Sequence, residues 1–150
     1  MDRICMNIST IGFTGKTAEY FFSKLKDSGA KKLIDVRINR TSQLAGFAKE
    51  QDLGYLLENL SNLEYLINSD LAPTKELLAR YRREEISWDT YSKEYISLIE
   101  SRHIIESLGQ DYFSESVLMC SESTPEFCHR RLLTELLSKQ FSNLEINHLL

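Results

Sequence analysis

The sequence predicts an α/β fold, a single three-layer domain over residues 1–150 with a mostly parallel, Rossmann-like sheet of about five strands, and three observations carry that expectation. Short β-rich apolar runs recur at Ile4–Ile8, Leu33–Val36, Leu63–Ile67, Val117–Met119 and Leu144–Leu149. Between them, apolar residues repeat at the 3.6-residue spacing of amphipathic helices. The 150 residues, 42% of them hydrophobic, suffice for one core, and two prolines, six glycines and no linker or repeat mark no second domain.

In chain order, the first helix is expected to start near Thr14 or Lys16, to bury Ala18, Phe21, Phe22 and Leu25, and to stop at Gly29. Glycine there takes the left-handed conformation favoured just past a helix end. A second helix is expected from about Lys49 to Leu60. Pro73 sits at the start of a third, Thr74 to Arg83, because a missing N–H is harmless in a first turn. Ser87 or Asp89 can cap a longer fourth that carries Tyr91, Tyr95, Leu98 and Ile99 inward. The fifth is expected to open with Thr124 as cap and Pro125 in its first turn, burying Leu132, Leu133, Leu136 and Leu137.

Strands separated by helices lie parallel, joined by right-handed crossovers. With strand one central, strands two and three on one side and strand four crossing to the other, the topological switch falls between the ends of strands one and four. Ligands of open α/β sheets collect at such a point. Thr10–Thr14 and Cys120–Thr124 then face each other across one crevice, bordered by Asp35 and Arg37.

Residues 120–130 gather two thiols, an imidazole, a guanidinium and two carboxylates. A buried strand carries Cys120 to its tip, and the helix that follows aims free N–H groups and its positive dipole end at the same spot. Beside Arg130 or His129 that setting favours a thiolate, and with it nucleophilic or redox chemistry in which Glu122 or His129 moves protons. The plain alternatives are a buried core thiol at Cys120, a satisfied half-buried imidazole at His129, and a surface ion pair between Arg130 and Glu126, four residues earlier. Cys128 and His129 fall four residues before Leu132 and Leu133, so both are expected to face the sheet.

Asp35-Val36-Arg37 puts an acid and a base on one strand face, where the pair either pins the 37–47 loop or leaves Arg37 for a ligand. The run Thr10 to Thr17 matches a phosphate-binding P-loop only in part, since Thr10 stands where the first glycine belongs. An ordinary turn and helix cap is expected there, with Gly12 kept among the ligand-binding candidates. Zinc on Cys120, Cys128 and His129 is disfavoured, because adjacent helical residues diverge by about 100° and no fourth ligand is evident. No metal and no cofactor are expected.

A net charge of −4 and a pI near 5.4 disfavour tight binding to phosphate backbones. Solvated helix faces explain most of the local basic clusters, Arg37 with Arg40, Arg80 to Arg83, and His129 to Arg131. No apolar run approaches the roughly 18 residues of a membrane span. Met1 to Cys5 lacks the flanks of a secretory signal, and three irregularly spaced cysteines suit a reducing compartment, so a cytoplasmic protein without membrane association is expected.

Thr10-Ile11-Gly12, Asp35-Val36-Arg37 followed by Ser42 and Phe47, Leu71-Ala72-Pro73, Trp88 with Tyr91 and Tyr95, and Cys120-Ser121-Glu122 with Cys128-His129-Arg130 together resemble the bacterial and archaeal family called domain of unknown function 488. The resemblance spans nearly the whole chain. It implies a compact cytosolic α/β domain with Asp35, Arg37, Ser42, Phe47, Cys120, Glu122, Cys128, His129 and Arg130 at signature positions, and it supplies no established reaction. Asn39-Arg40 departs from the family, which often has a proline before the serine, and this weakens any role for Ser42. Asp35-Val36-Arg37 with a strand-end cysteine also looks rhodanese-like, but the loop after Cys120 lacks that family's glycine and compact arginine spacing.

The expected function is therefore an enzyme-like, anion-binding pocket at the strand one/strand four switch point, acting on a small phosphate-bearing or nucleic-acid-derived ligand through Cys120. Cys120, Glu122 and His129 are its catalytic candidates; Gly12, Asp35, Arg37, Ser42, Cys128 and Arg130 are its ligand-binding candidates. The rival is a non-enzymatic nucleic-acid-binding or regulatory module that uses Arg37, Arg40 and Arg80 to Arg83.

Overall fold

Five strands build one all-parallel sheet in the computed structural model, which describes residues 6–40, 46–122 and 124–150. They are β1 (Met6–Gly12), β2 (Lys32–Asp35), β3 (Glu64–Ile67), β4 (Ser116–Cys120) and β5 (Leu144–His148), in the order β3-β2-β4-β1-β5. Each apolar run becomes a strand, although Ile4 and Cys5 lie outside the described residues. Thr10, Ile11 and Gly12 extend β1, with Gly12 opposite Cys120 in register, and the rest of the partial P-loop match is the expected turn at Thr14-Gly15 and helix cap at Thr17.

The strand order corrects one expectation. β4, not β1, is central, and every residue of its Ser116–Cys120 segment is buried, as befits a strand covered on both faces. Placing it from sequence would require knowing which strand pairs with which, a non-local property that periodicity does not carry. β1 and β4 remain neighbours, but the connections that diverge leave from β2 and β4.

Helices α1 (Ala18–Asp27) and α2 (Glu50–Leu60) follow β1 and β2 on one face. There Phe21, Phe22, Leu25, Leu53 and Leu57 pack on Ile11, Leu33, Val117 and Met119. α3 (Lys75–Arg82), α4 (Trp88–Arg102), the short α5 (Ile104–Leu108) and α6 (Gln110–Phe113), and α7 (His129–Gln140) complete the set. On the other face Tyr91, Tyr95, Ile99, Leu132 and Leu133 pack on Ile8, Ile34, Leu118 and Cys120. Period-two alternation along β4 thus sends Val117 and Met119 one way and Leu118 and Cys120 the other.

The caps follow local chemistry. The Thr17 hydroxyl accepts from the Tyr20 N–H at 3.1 Å, that of Thr74 from Leu77 at 3.0 Å, and that of Ser87 from Thr90 at 3.1 Å. Pro73 therefore precedes its helix cap instead of entering the first turn. α1 gives way to Gly29 at φ +73°, as expected, but Ala18 is exposed, and Leu98 of α4 is only half-buried. The larger correction is α7: Thr124 and Pro125 do not open it, and Cys128 stands in the cap position with extended backbone, φ −134° and ψ 140°. The Cys128 N–H donates to the Pro125 carbonyl at 3.3 Å, so Thr124–Phe127 form a turn that brings Cys128 back over the sheet.

No helix among the described residues is long and apolar enough to cross a membrane. Leu133 of α7 is fully buried, so Leu133→Ala is expected to cost about 2–5 kcal/mol in urea unfolding, while Ser138→Ala on the exposed face stays within about 0.5 kcal/mol.

Candidate functional site

The connection after β2 leads toward β3 through α2, and that after β4 leads toward β5 through α7 on the opposite face, so the two part at the carboxyl ends of neighbouring strands. The switch point accordingly lies between β2 and β4, a correction to the strand one/strand four placement. A cavity of about 180 Å³ opens there, lined by Arg37, Ile38 and Asn39 after β2, by Cys120, Ser121 and Glu122 after β4, and by Phe127, Cys128 and His129 before and into α7.

Cys120 and Cys128 meet beneath this cavity, sulfur against sulfur, with their Cα atoms 7.9 Å apart. Arg130 lies against both. Its Nη1 donates to Cys120 Sγ at 3.2 Å, to Cys128 Sγ at 3.7 Å and to the Glu122 carbonyl at 2.5 Å, while Nε donates to Thr10 Oγ1 at 3.3 Å. The residue is 0% exposed, so the surface ion pair with Glu126 does not describe it. Burial lowers its pKa to about 10, with Glu122 pulling the other way, and the guanidinium keeps its charge at neutral pH. The Thr10 hydroxyl, accepting from Arg130, donates in turn to His148 Nδ1 at 2.6 Å. Burial and the charge of Arg130 both lower the pKa of that ring, consistent with an unprotonated acceptor.

His129 points to the sheet from the first turn of α7. Its Nε2 lies 2.8 Å from the Val36 carbonyl, and since a carbonyl only accepts, the proton belongs on Nε2 and the lone pair on Nδ1. Burial lowers its pKa to about 4 despite the opposing pull of that carbonyl, so the ring is neutral near neutral pH. Tyr95 packs beside it, ring centroids 5.5 Å apart.

Asp35 and Arg37 form a buried pair. Arg37 Nε and backbone N–H donate to Oδ1 at 2.9 and 3.1 Å, and Nη2 donates to Oδ2 at 2.7 Å and to the Ala48 carbonyl at 2.6 Å. Tyr65 adds its hydroxyl to Oδ2 at 2.6 Å, and Phe13 lies 5.2 Å under the guanidinium. Both readings of the pair therefore meet in one arrangement: Asp35 is consumed in holding Arg37, yet Arg37 Nη1 is buried with no partner among the described residues.

Five of the candidates thus line one cavity: Arg37, Cys120, Glu122, Cys128 and His129. Asp35 and Arg130 stand behind it as supports. Gly12 is not among the lining residues; a Cβ there would run into the Glu122 carbonyl and sit 2.8 Å from Arg130 Nη1, so its glycine allows close backbone approach and not ligand contact. Ser42 lies outside the described residues. Sequence reasoning missed the aromatic wall: Trp88 and Tyr91 stack at 5.3 Å, and Phe127 meets Trp88 edge-on at 5.5 Å. Trp88 and Tyr91 share a stripe of α4 with Tyr95, which is core, while Phe127 comes from the turn before α7 and is 56% exposed.

The family model described as a domain of unknown function, DUF488, matches residues 17–137. The chain belongs to the DUF488 family. The DUF488 match takes in Arg37, the aromatic wall and the whole Cys120 to Arg130 segment, and stops short of β5. No curated protein and no solved structure is significantly similar to the chain.

Removing the charge of Asp35 strands a buried guanidinium. Asp35→Asn is expected to destabilise the DUF488 domain by about 3–5 kcal/mol in denaturant unfolding, and Tyr65→Phe by about 1–3 kcal/mol. A loss below about 1 kcal/mol for Asp35→Asn would contradict the pairing.

Proposed function

We propose that this DUF488 domain is an enzyme-like pocket for a small phosphate-bearing, nucleotide-like ligand, with its chemistry centred on the sulfur of Cys120. The anionic group of the ligand meets Arg37 and Arg82, its planar part lies along Trp88 and Tyr91, and Cys120, Cys128 and His129 form the floor beneath it. The observation that carries the reading is Arg37 Nη1. A buried guanidinium nitrogen left without an acceptor costs about 1–3 kcal/mol, and an anion in the cavity would supply that acceptor.

A second hollow of about 660 Å³ shares Ile38, Asn39, Leu78 and Arg82 with the first and offers room for the rest of such a ligand. The nucleic-acid module finds less support. Arg40 pairs with Glu50 at 2.8 Å, Arg80 with Glu94 at 3.1 Å and Arg83 with Glu85 at 4.0 Å, so acids interrupt the basic run where a polyanion would need continuous positive charge. A reducing cytoplasm, where thiols persist, is the compartment that this reading takes.

Arg82 is exposed, so its removal leaves no buried partner behind. Calorimetric titration with nucleoside monophosphates is expected to show binding that Arg82→Ala weakens about tenfold, the worth of one charge-assisted hydrogen bond. Absence of binding by any phosphate compound at millimolar concentration, or equal binding by the variant, would overturn the reading.

A further inference from the structure

We propose that Cys120, Cys128 and His129 hold a divalent metal ion of the zinc type, with the fourth coordination position open to the cavity. The inference deepens the pocket reading and rests on it only for what the open position faces. The two sulfurs and a ring nitrogen of His129 lie within 4.8 Å of one another, and all three residues are buried.

The objection raised by sequence spacing disappears in the fold. Two adjacent residues inside a helix diverge, but Cys128 is the extended residue before α7 and His129 the first within it, which lets their side chains converge. The missing fourth protein ligand is no defect either, since three ligands from Cys and His plus an exchangeable position is the pattern of catalytic zinc.

Three further features fit a metal better than a plain thiol pair. First, the Val36 carbonyl occupies His129 Nε2 and leaves Nδ1 free, the outer-shell contact that fixes a metal-binding imidazole. Second, the 7.9 Å between the Cα atoms exceeds the roughly 4.4–6.8 Å usual for a disulfide. Small side-chain shifts would open the sulfurs to the roughly 3.7 Å edge of a tetrahedron with zinc–sulfur bonds of about 2.3 Å. Third, Arg130 Nη1 donates toward both sulfurs, contacts that stabilise thiolates and orient them.

Binding would release to solvent whatever protons the two thiols still carry, so that a dication and two thiolates cancel. The charge of Arg130 then remains, together with its buried Nη2, which has no partner among the described residues, and favours an anionic fourth ligand. Soft thiolates with an imidazole select zinc over magnesium or calcium.

The test uses the full-length protein, reduced, stripped with a chelator and titrated with zinc against a chromogenic competitor, and separately with cobalt followed by visible absorption. One metal per chain and the bands of tetrahedral thiolate-bound cobalt are expected. Cys128→Ser and His129→Gln, each checked for folding by circular dichroism, should weaken binding by at least about tenfold, and Cys5→Ser should not. Should either variant unfold, labelling of the native chain decides: zinc is expected to slow iodoacetamide at Cys120 and Cys128 but not at Cys5. Substoichiometric binding by folded native protein, unchanged affinity in both variants, or equal labelling with and without zinc would overturn the inference. Nucleotide binding without metal binding would overturn it alone and spare the pocket, whereas metal binding without nucleotide affinity would do the reverse.

Discussion

One buried cation organises this molecule. Arg130 sits at 0% exposure with its guanidinium against a hydroxyl, a carbonyl and two sulfurs, and among those contacts only the sulfurs can carry negative charge. A buried guanidinium is costly without negative charge nearby; Glu122 supplies part of it, and a thiolate in the reduced Cys120–Cys128 pair would supply more. The N-terminus of α7 adds its partial positive charge at the same place. The narrow passage between Gly12 and the Glu122 carbonyl, and the Thr10–His148 contact, follow from lodging that side chain beneath the sheet's carboxyl edge.

Topology turns this local arrangement into a site. With β4 at the centre, the loops after β2 and β4 part on opposite faces, and the gap between them holds the cavity that Arg37, Cys120, Cys128 and His129 line. Asp35 and Tyr65 spend their polar atoms on holding Arg37, and Val36 spends its carbonyl on His129. The motif residues therefore divide into those that meet the cavity and those that aim them. A motif by itself does not show that division.

Much of the fold was legible because periodicity and capping are local: all five apolar runs became strands, and Thr17, Thr74 and Ser87 cap helices through their own hydroxyls. The start of α7 misled because Thr124-Pro125 is a good helix opener in isolation, whereas burial of Cys128 and His129 sets the real start four residues later. Strand order escaped because it depends on pairing between distant segments. Within the site, the Asp35-Val36-Arg37 and Cys120 to Arg130 motifs supplied five of the residues that line the cavity, Arg37, Cys120, Glu122, Cys128 and His129. The depth of Arg130 was hidden, since four-residue spacing from Glu126 suggests the surface; Tyr91 was expected inward and is buried, but that it also walls the cavity beside Trp88 and Phe127 is a tertiary property that helix periodicity does not carry.

The charge state of the sulfur pair tests the central claim most directly. In reduced, metal-free protein at about pH 7, the ultraviolet absorbance of thiolate, read as the difference from Cys120→Ser and Cys128→Ser, is predicted to show at least one thiolate per chain, reduced in Arg130→Met. Two fully protonated thiols beside an intact Arg130 would contradict the account.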